Sequence, residues 1–140
     1  MQDPHLRIVC MAFSKGAWWV TLLLGIDPNL FDATIWIAGY PSPQSGPDTQ
    51  QSEGMGLARC SGELLCVAGK SDFFCPWRDY EVFFEALQEA RPGALRVLEG
   101  GSHDSLKKDF FYGAACQAST PDEDRLLLQR IKALLGLPPQ

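Results

Sequence analysis

The sequence has no basic run. Its 12 Lys and Arg residues are outnumbered by 17 Asp and Glu, giving a net charge of −5 over 140 residues. The nearest approach to a basic cluster, Lys107-Lys108, is offset by Asp104 and Asp109. Neutralising a phosphate backbone needs clustered cations, so a nucleic-acid surface is excluded. A long apolar run is also missing. The longest, "WWVTLLLGI", is about half of the ~20 residues that a membrane span requires. The opening "MQDPHLR" lacks a charged segment leading into an apolar core and a small-residue cleavage site, so no signal peptide is expected. No C-x-x-C pair occurs among the five cysteines, Cys10, Cys60, Cys66, Cys75 and Cys116. Their odd number and the apolar surroundings of Cys10 and Cys66 predict reduced thiols in a cytoplasmic protein. Together with His5 and His103 they show no metal-ligand spacing, so no metal is expected. "GMG" at 54–56 follows no strand and is not a phosphate loop.

What is present is an alternation of short apolar runs with helical segments. Hydrophobic residues make up 46% and charged residues 21%, ordinary values for one globular domain over residues 1–140. "LRIVCMA" and "ATIWIAG" are continuous apolar runs of strand length, of the kind buried on both faces of a parallel sheet. "ELLCVAG" and "ALRVLEG" predict two further strands. "KGAWWVTLLLG" predicts a buried helix ending at Gly25. Tyr80, Phe83, Phe84 and Leu87 fall at i, i+3, i+4 and i+7, one helical face. "DEDRLLLQRIKALLG" predicts a terminal helix, capped by Thr120 or Asp122 and ended by Gly136 and Pro138. Residues 40–62, rich in Pro, Gly, Ser and Gln, predict a long loop insertion. The order β-α-β-loop-β-α-β-α implies a parallel sheet of about four strands with flanking helices, an α/β fold.

In such sheets ligands collect at the C-terminal ends of the strands. Those ends read "FSKG", "GYPSP", "GKSDFFCP" and "EGGSHD", so Ser14, Asp72 and His103 stand at three of the four. A serine hydroxyl becomes a nucleophile when an imidazole takes its proton and a carboxylate orients the imidazole. The chain order Ser, Asp, His, separated by 58 and 31 residues, is one of the orders in which that machinery occurs. Each residue has a plainer reading on its own. Ser14 suits a helix N-cap, Asp72 suits a turn before Pro76, and "GGSHD" suits a glycine-rich surface turn. Asp104 also lies next to His103, but adjacent residues seldom orient each other's rings, which favours Asp72. Asp79 reads as a solvated helix position. Cys75 reads as a packed thiol, and Trp18, Trp19 and Trp36 read as core.

Taken together, "AFSKGA", "VAGKSDFFCP" and "VLEGGSHDSL" resemble the nucleophile elbow, acid loop and histidine loop of the α/β-hydrolases. "IWIAGYPSP" resembles the strand between elbow and acid loop in the small acyl-protein thioesterase/carboxylesterase and dienelactone-hydrolase-like branches. The resemblance covers roughly residues 5 to 135. It implies Ser14 as nucleophile, His103 as general base then acid, Asp72 as its orienter, and the Lys15 backbone N–H as an oxyanion donor. Tyr40, Phe73 and Trp77 would line a substrate pocket. It implies no cofactor, and a small acyl ester or thioester as substrate.

The sequence departs from the family pattern twice. The elbow reads Ala12-Phe13-Ser14-Lys15-Gly16 where the family has G-x-S-x-G. The family core has about eight strands, and this chain supplies the equivalent of the last four, the C-terminal half. The second oxyanion donor then lies outside it, and the first strand is left as a bare apolar edge. The alternative reading is therefore a non-catalytic hydrolase-like module or fragment that pairs through that edge, as a homodimer or with a partner chain.

Overall fold

A computed structural model describes residues 6–112 and 125–137. Its first strand, β1 (Val9–Phe13), runs through Ser14 directly into helix α1 (Lys15–Ile26). Then follow β2 (Ala33–Ile37), α2 (Pro47–Ala58), β3 (Glu63–Gly69), a 3₁₀ turn (Trp77–Tyr80) and α3 (Glu81–Ala90). The chain continues through β4 (Leu95–Leu98), the four-residue α4 (His103–Leu106), a π-helical turn (Lys107–Tyr112) and α5 (Arg125–Leu134). The strands form one parallel sheet in the order β1-β2-β3-β4. His5, Cys116, Thr120, Asp122 and Pro138 lie outside the described residues.

Every residue of β2 is buried, and the alternation of side chains across a strand sends them into two separate cores. Trp36 and Cys66 join Ala17, Val20 and Leu24 of α1, Leu57 of α2 and Phe83, Phe84 and Leu87 of α3. Ile35, Ile37, Leu65 and Val67 join Leu106, Phe110, Leu128, Ile131 and Leu134 on the opposite face. This two-sided burial is why the strands read as unbroken apolar runs. The indole of Trp36 would be costly to bury unpaired. Its Nε1–H donates to Thr21 Oγ1 at 3.0 Å, and that hydroxyl donates to the Ala17 carbonyl at 3.0 Å. Trp36 is core as expected and Trp18 is half-buried, but Trp19 is 57% exposed.

The expected loop over 40–62 is corrected: its middle is helix α2. Its sequence, "PDTQQSEGMGLA", hides the helix because it presents no wide apolar stripe. Pro47 opens it and Asp48 lies in the first turn, where both favour a helix start. Gly54 serves for close packing, since a Cβ there would stand 2.5 Å from the Phe83 carbonyl of α3. Buried Gln50 donates to the Ser45 and Asp79 carbonyls and accepts from the Phe83 N–H, joining α2 to the start of α3. The "GGSHD" turn is also shorter than expected. Ser102 caps α4 reciprocally with Ser105, so His103 begins a helix.

At the end of the sheet that carries these loops, two backbones meet. A Cβ on Gly69 would fall 2.1 Å from the Gly101 carbonyl oxygen. The Lys70 N–H donates to Leu98 and the Ser71 N–H to Gly101, both at 3.0 Å. The segment carrying Asp72 is thus zipped to the segment carrying His103. Gly69→Ala is expected to cost about 1–3 kcal/mol or more by overpacking, read as a lower Tm. Gly100→Ala, where a Cβ meets nothing within 4 Å, is expected to stay within about 0.5 kcal/mol of the parent.

Cys10, Cys60, Cys66 and Cys75 carry free thiols. Burial raises the pKa of each, most clearly at Cys66 and at Cys75, where the Asp72 charge adds to the effect of burial. A thiol held protonated is a poor nucleophile, so Cys66 and Cys75 are expected to resist iodoacetamide at pH 8 until the protein is unfolded, as read by mass spectrometry. The raised pKa has a stability consequence with a definite sign. The contribution is fully present below the ordinary thiol value of 9.0 and is lost as pH rises beyond it, so Tm is expected to fall between pH 8 and pH 10.

Candidate functional site

Ser14 occupies the turn between β1 and α1 with φ 58° and ψ −119°. A non-glycine residue in that region is strained, at a cost of order 1–3 kcal/mol, and is held only where its surroundings impose it. Here they do. The Ser14 N–H donates to the Ile37 carbonyl at the end of β2 at 2.9 Å, and the Ser14 carbonyl accepts from Ala17 and Trp18 in the first turn of α1. The serine side chain makes no capping hydrogen bond, so the N-cap reading does not account for it. Ala12 fits the position where the elbow pattern has glycine, because its methyl stands 3.9 Å from where a Cβ on Gly16 would lie. Lys15 opens the helix, and its backbone N–H is among the first-turn donors that have no acceptor within the helix.

Asp72 follows β3 and is 4% exposed. Its Oδ1 accepts from the backbone N–H groups of Phe74 at 2.9 Å and Cys75 at 3.0 Å. Its Oδ2 lies 2.8 Å from His103 Nδ1. A carboxylate only accepts, so Nδ1 carries a proton, and the neutral ring of this arrangement is the tautomer with its lone pair on Nε2, the one that a general base needs. Asp104 is exposed and is not the partner. Cys75 anchors the acid loop from its far side, its thiol donating to the Gly39 carbonyl at 2.9 Å.

The structure joins Asp72 to His103 directly, and the residue before Ser14, Phe13, contacts the imidazole with ring centroids 4.8 Å apart. Ser14 Oγ itself makes no hydrogen bond to His103 among the described residues. Apo geometry of this kind does not disqualify a nucleophile–base pair. Tyr40 is half-buried and stacks between Trp18 at 6.2 Å and Tyr80 at 6.3 Å. Burial raises the pKa of both tyrosines. Ser42 holds this segment by accepting from Trp18 Nε1 at 3.3 Å and bonding both oxygens of the Glu53 carboxylate. Phe73 is 92% exposed next to Asp72.

Trp77 differs from expectation. It stacks flat on Phe84 at 4.5 Å, with Lys70 over its ring, and so takes part in the packing of α3. Two aromatics were missed. Phe13 and Phe74 both contact the His103 ring, Phe74 at 4.9 Å. The signal available in the sequence was the position of Phe13 next to Ser14 and of Phe74 two residues after Asp72. Among the described residues no cluster of His, Cys, Asp and Glu could hold a metal ion, and no helix is long and apolar enough to cross a membrane.

No protein-family model matches the sequence, and no curated protein aligns with it significantly. Solved structures do match the fold. A protein described as a dienelactone hydrolase from Klebsiella pneumoniae superposes with a TM-score of 0.57 at 18% identity, over 91% of this chain and 51% of that one. Dipeptidyl peptidase 4 from Porphyromonas gingivalis superposes with a TM-score of 0.57 at 20% identity, over 93% of this chain and 19% of that one. An acylaminoacyl peptidase from Pyrococcus horikoshii gives 0.54 at 16% identity, over 93% and 23%. The chain spans about half the length of the first of these and about a fifth of the other two. Its four-stranded parallel sheet with flanking helices is that of an α/β-hydrolase fold, and it resembles dienelactone-hydrolase-like members.

Proposed function

We propose that the chain carries the catalytic residues of a serine hydrolase acting on a small acyl ester or thioester. Ser14 attacks the carbonyl while His103 Nε2 takes its proton. Asp72 holds the imidazole in the required tautomer and stabilises the imidazolium. His103 then returns the proton to the leaving group, and water, activated by the same imidazole, cleaves the acyl-enzyme. The Lys15 N–H, at the positive end of α1, would hold the developing oxyanion. Tyr40 and Phe73 would contact the acyl or leaving group. No cofactor enters this chemistry, and the free thiols agree with a cytoplasmic setting.

One observation supports the reading most strongly: a 2.8 Å Asp72–His103 pair whose imidazole is contacted by Phe13, the residue before a strained Ser14. The edge-pairing alternative has its own support. β1 is an outer strand and only half-buried, while α1 exposes Trp19, Leu23 and Ile26. An open edge beside apolar surface suits association with a second copy or another chain.

A fluorophosphonate probe is expected to label the protein at Ser14 and to leave Ser14→Ala unlabelled. If the folded parent protein stays unlabelled, catalysis by this chain is refuted. Asp72→Asn, which leaves the shape intact while disturbing the tautomer, is expected to lower the labelling rate by about 10²–10⁴. Light scattering after size-exclusion chromatography separates the two readings of the edge, since a clean monomer at micromolar concentration excludes self-association through β1.

A further inference from the structure

We propose that Phe74 is a positioning residue, which brackets the His103 imidazole together with Phe13 and screens the Asp72–His103 hydrogen bond from water. The inference rests on the serine-hydrolase reading of this site for its purpose, though the contacts are independent of it. Phe74 is 73% exposed, an unfavourable place for a large apolar ring unless its covered face is used. That face lies against His103, with ring centroids 4.9 Å apart and planes tilted by 42°. Phe13 meets the same imidazole at 4.8 Å and 48°.

The covering effect is visible in the burial. The His103 side chain is 12% exposed and that of Asp72 only 2%, although Phe73 and Phe74 beside them are largely in solvent. Phe74 is also tied to the pair it covers, because its backbone N–H donates to the second oxygen of Asp72. One residue thus orients the carboxylate through its main chain and confines the imidazole through its side chain. Phe13, fixed by the strand that precedes Ser14, is itself backed by Phe111 at 5.6 Å. Turning the imidazole would break its contacts with both rings. Nδ1 therefore stays on Asp72, and Nε2 stays free to serve Ser14.

Screening from water strengthens an electrostatic hydrogen bond and slows exchange of its proton. The test is proton NMR of the full chain, following the downfield Nδ1–H resonance of His103. The parent protein is expected to show a protected resonance. Phe74→Ala is expected to exchange that proton with water at least 10-fold faster at unchanged Tm, and Phe74→Tyr to restore protection. Absence of a protected resonance in the parent, or equal protection in Phe74→Ala, overturns the proposal. Serine reactivity is read separately with the fluorophosphonate probe. Labelling with unprotected Nδ1–H refutes only the role of Phe74, whereas protection without labelling refutes only the hydrolase reading. In an active protein Phe74→Ala is expected to lower kcat more than it changes KM, because the ring acts through His103 rather than on substrate.

Discussion

The bond between Asp72 and His103 ties together two loops that no strand pairing alone would bring into register. It exists because the backbones beneath it touch. Gly69, the last residue of β3, lies against the Gly101 carbonyl, at a distance that only a residue without a Cβ permits. From that contact upward, the main chain of the acid loop donates to Leu98 and Gly101, and the carboxylate of Asp72 accepts from Phe74 and Cys75. Glycine at 69 is therefore part of the site's architecture without touching any reacting atom.

The end of β2 does the corresponding work for Ser14. Ile37 accepts the Ser14 N–H, and Gly39 accepts the Cys75 thiol. The central part of the sheet thus holds both the elbow and the acid loop. Gly39 also admits Ala17 and the Trp36 ring at distances a side chain would forbid. The strain at Ser14 is offset by this packing, since α1 cannot shift without displacing Ala17 from Gly39 and Thr21 from the Trp36 indole. A strained backbone at a strand-to-helix turn is thus maintained by several independent contacts.

Aromatic rings dominate the surroundings of the site. Phe13 and Phe74 flank His103, and Trp18, Tyr40 and Tyr80 form a stacked row at the same end of the sheet. That row is secured from below, through the Ser42 contact with Glu53 of α2. The helix in the middle of the Pro- and Gly-rich segment therefore supports the site wall. β1 and α1 also present an outer sheet edge and exposed apolar side chains. Structures of the same fold extend well beyond the length of this chain.

Much of this was legible in the residues alone. Four apolar runs alternating with helical periodicity determine a parallel sheet covered on both faces, because a strand with no polar side must be buried twice. The same pattern places Ser14, Asp72 and His103 at strand ends, since parallel strands all finish on one side. Helix α2 was not legible, because its stability comes from Gly54, Gln50 and Leu57 packing on α3 rather than from any periodic apolar face. The contact of Phe74 with His103 was not legible for a similar reason: Phe73, Phe74 and Trp77 are aromatic residues of one short segment, and only the path of the acid loop decides which ring meets the imidazole. Local sequence determined the elements and the chemistry available at their ends. Which oxygen meets which nitrogen was decided by contacts between residues far apart in the chain, where a single missing Cβ at Gly69 sets the distance.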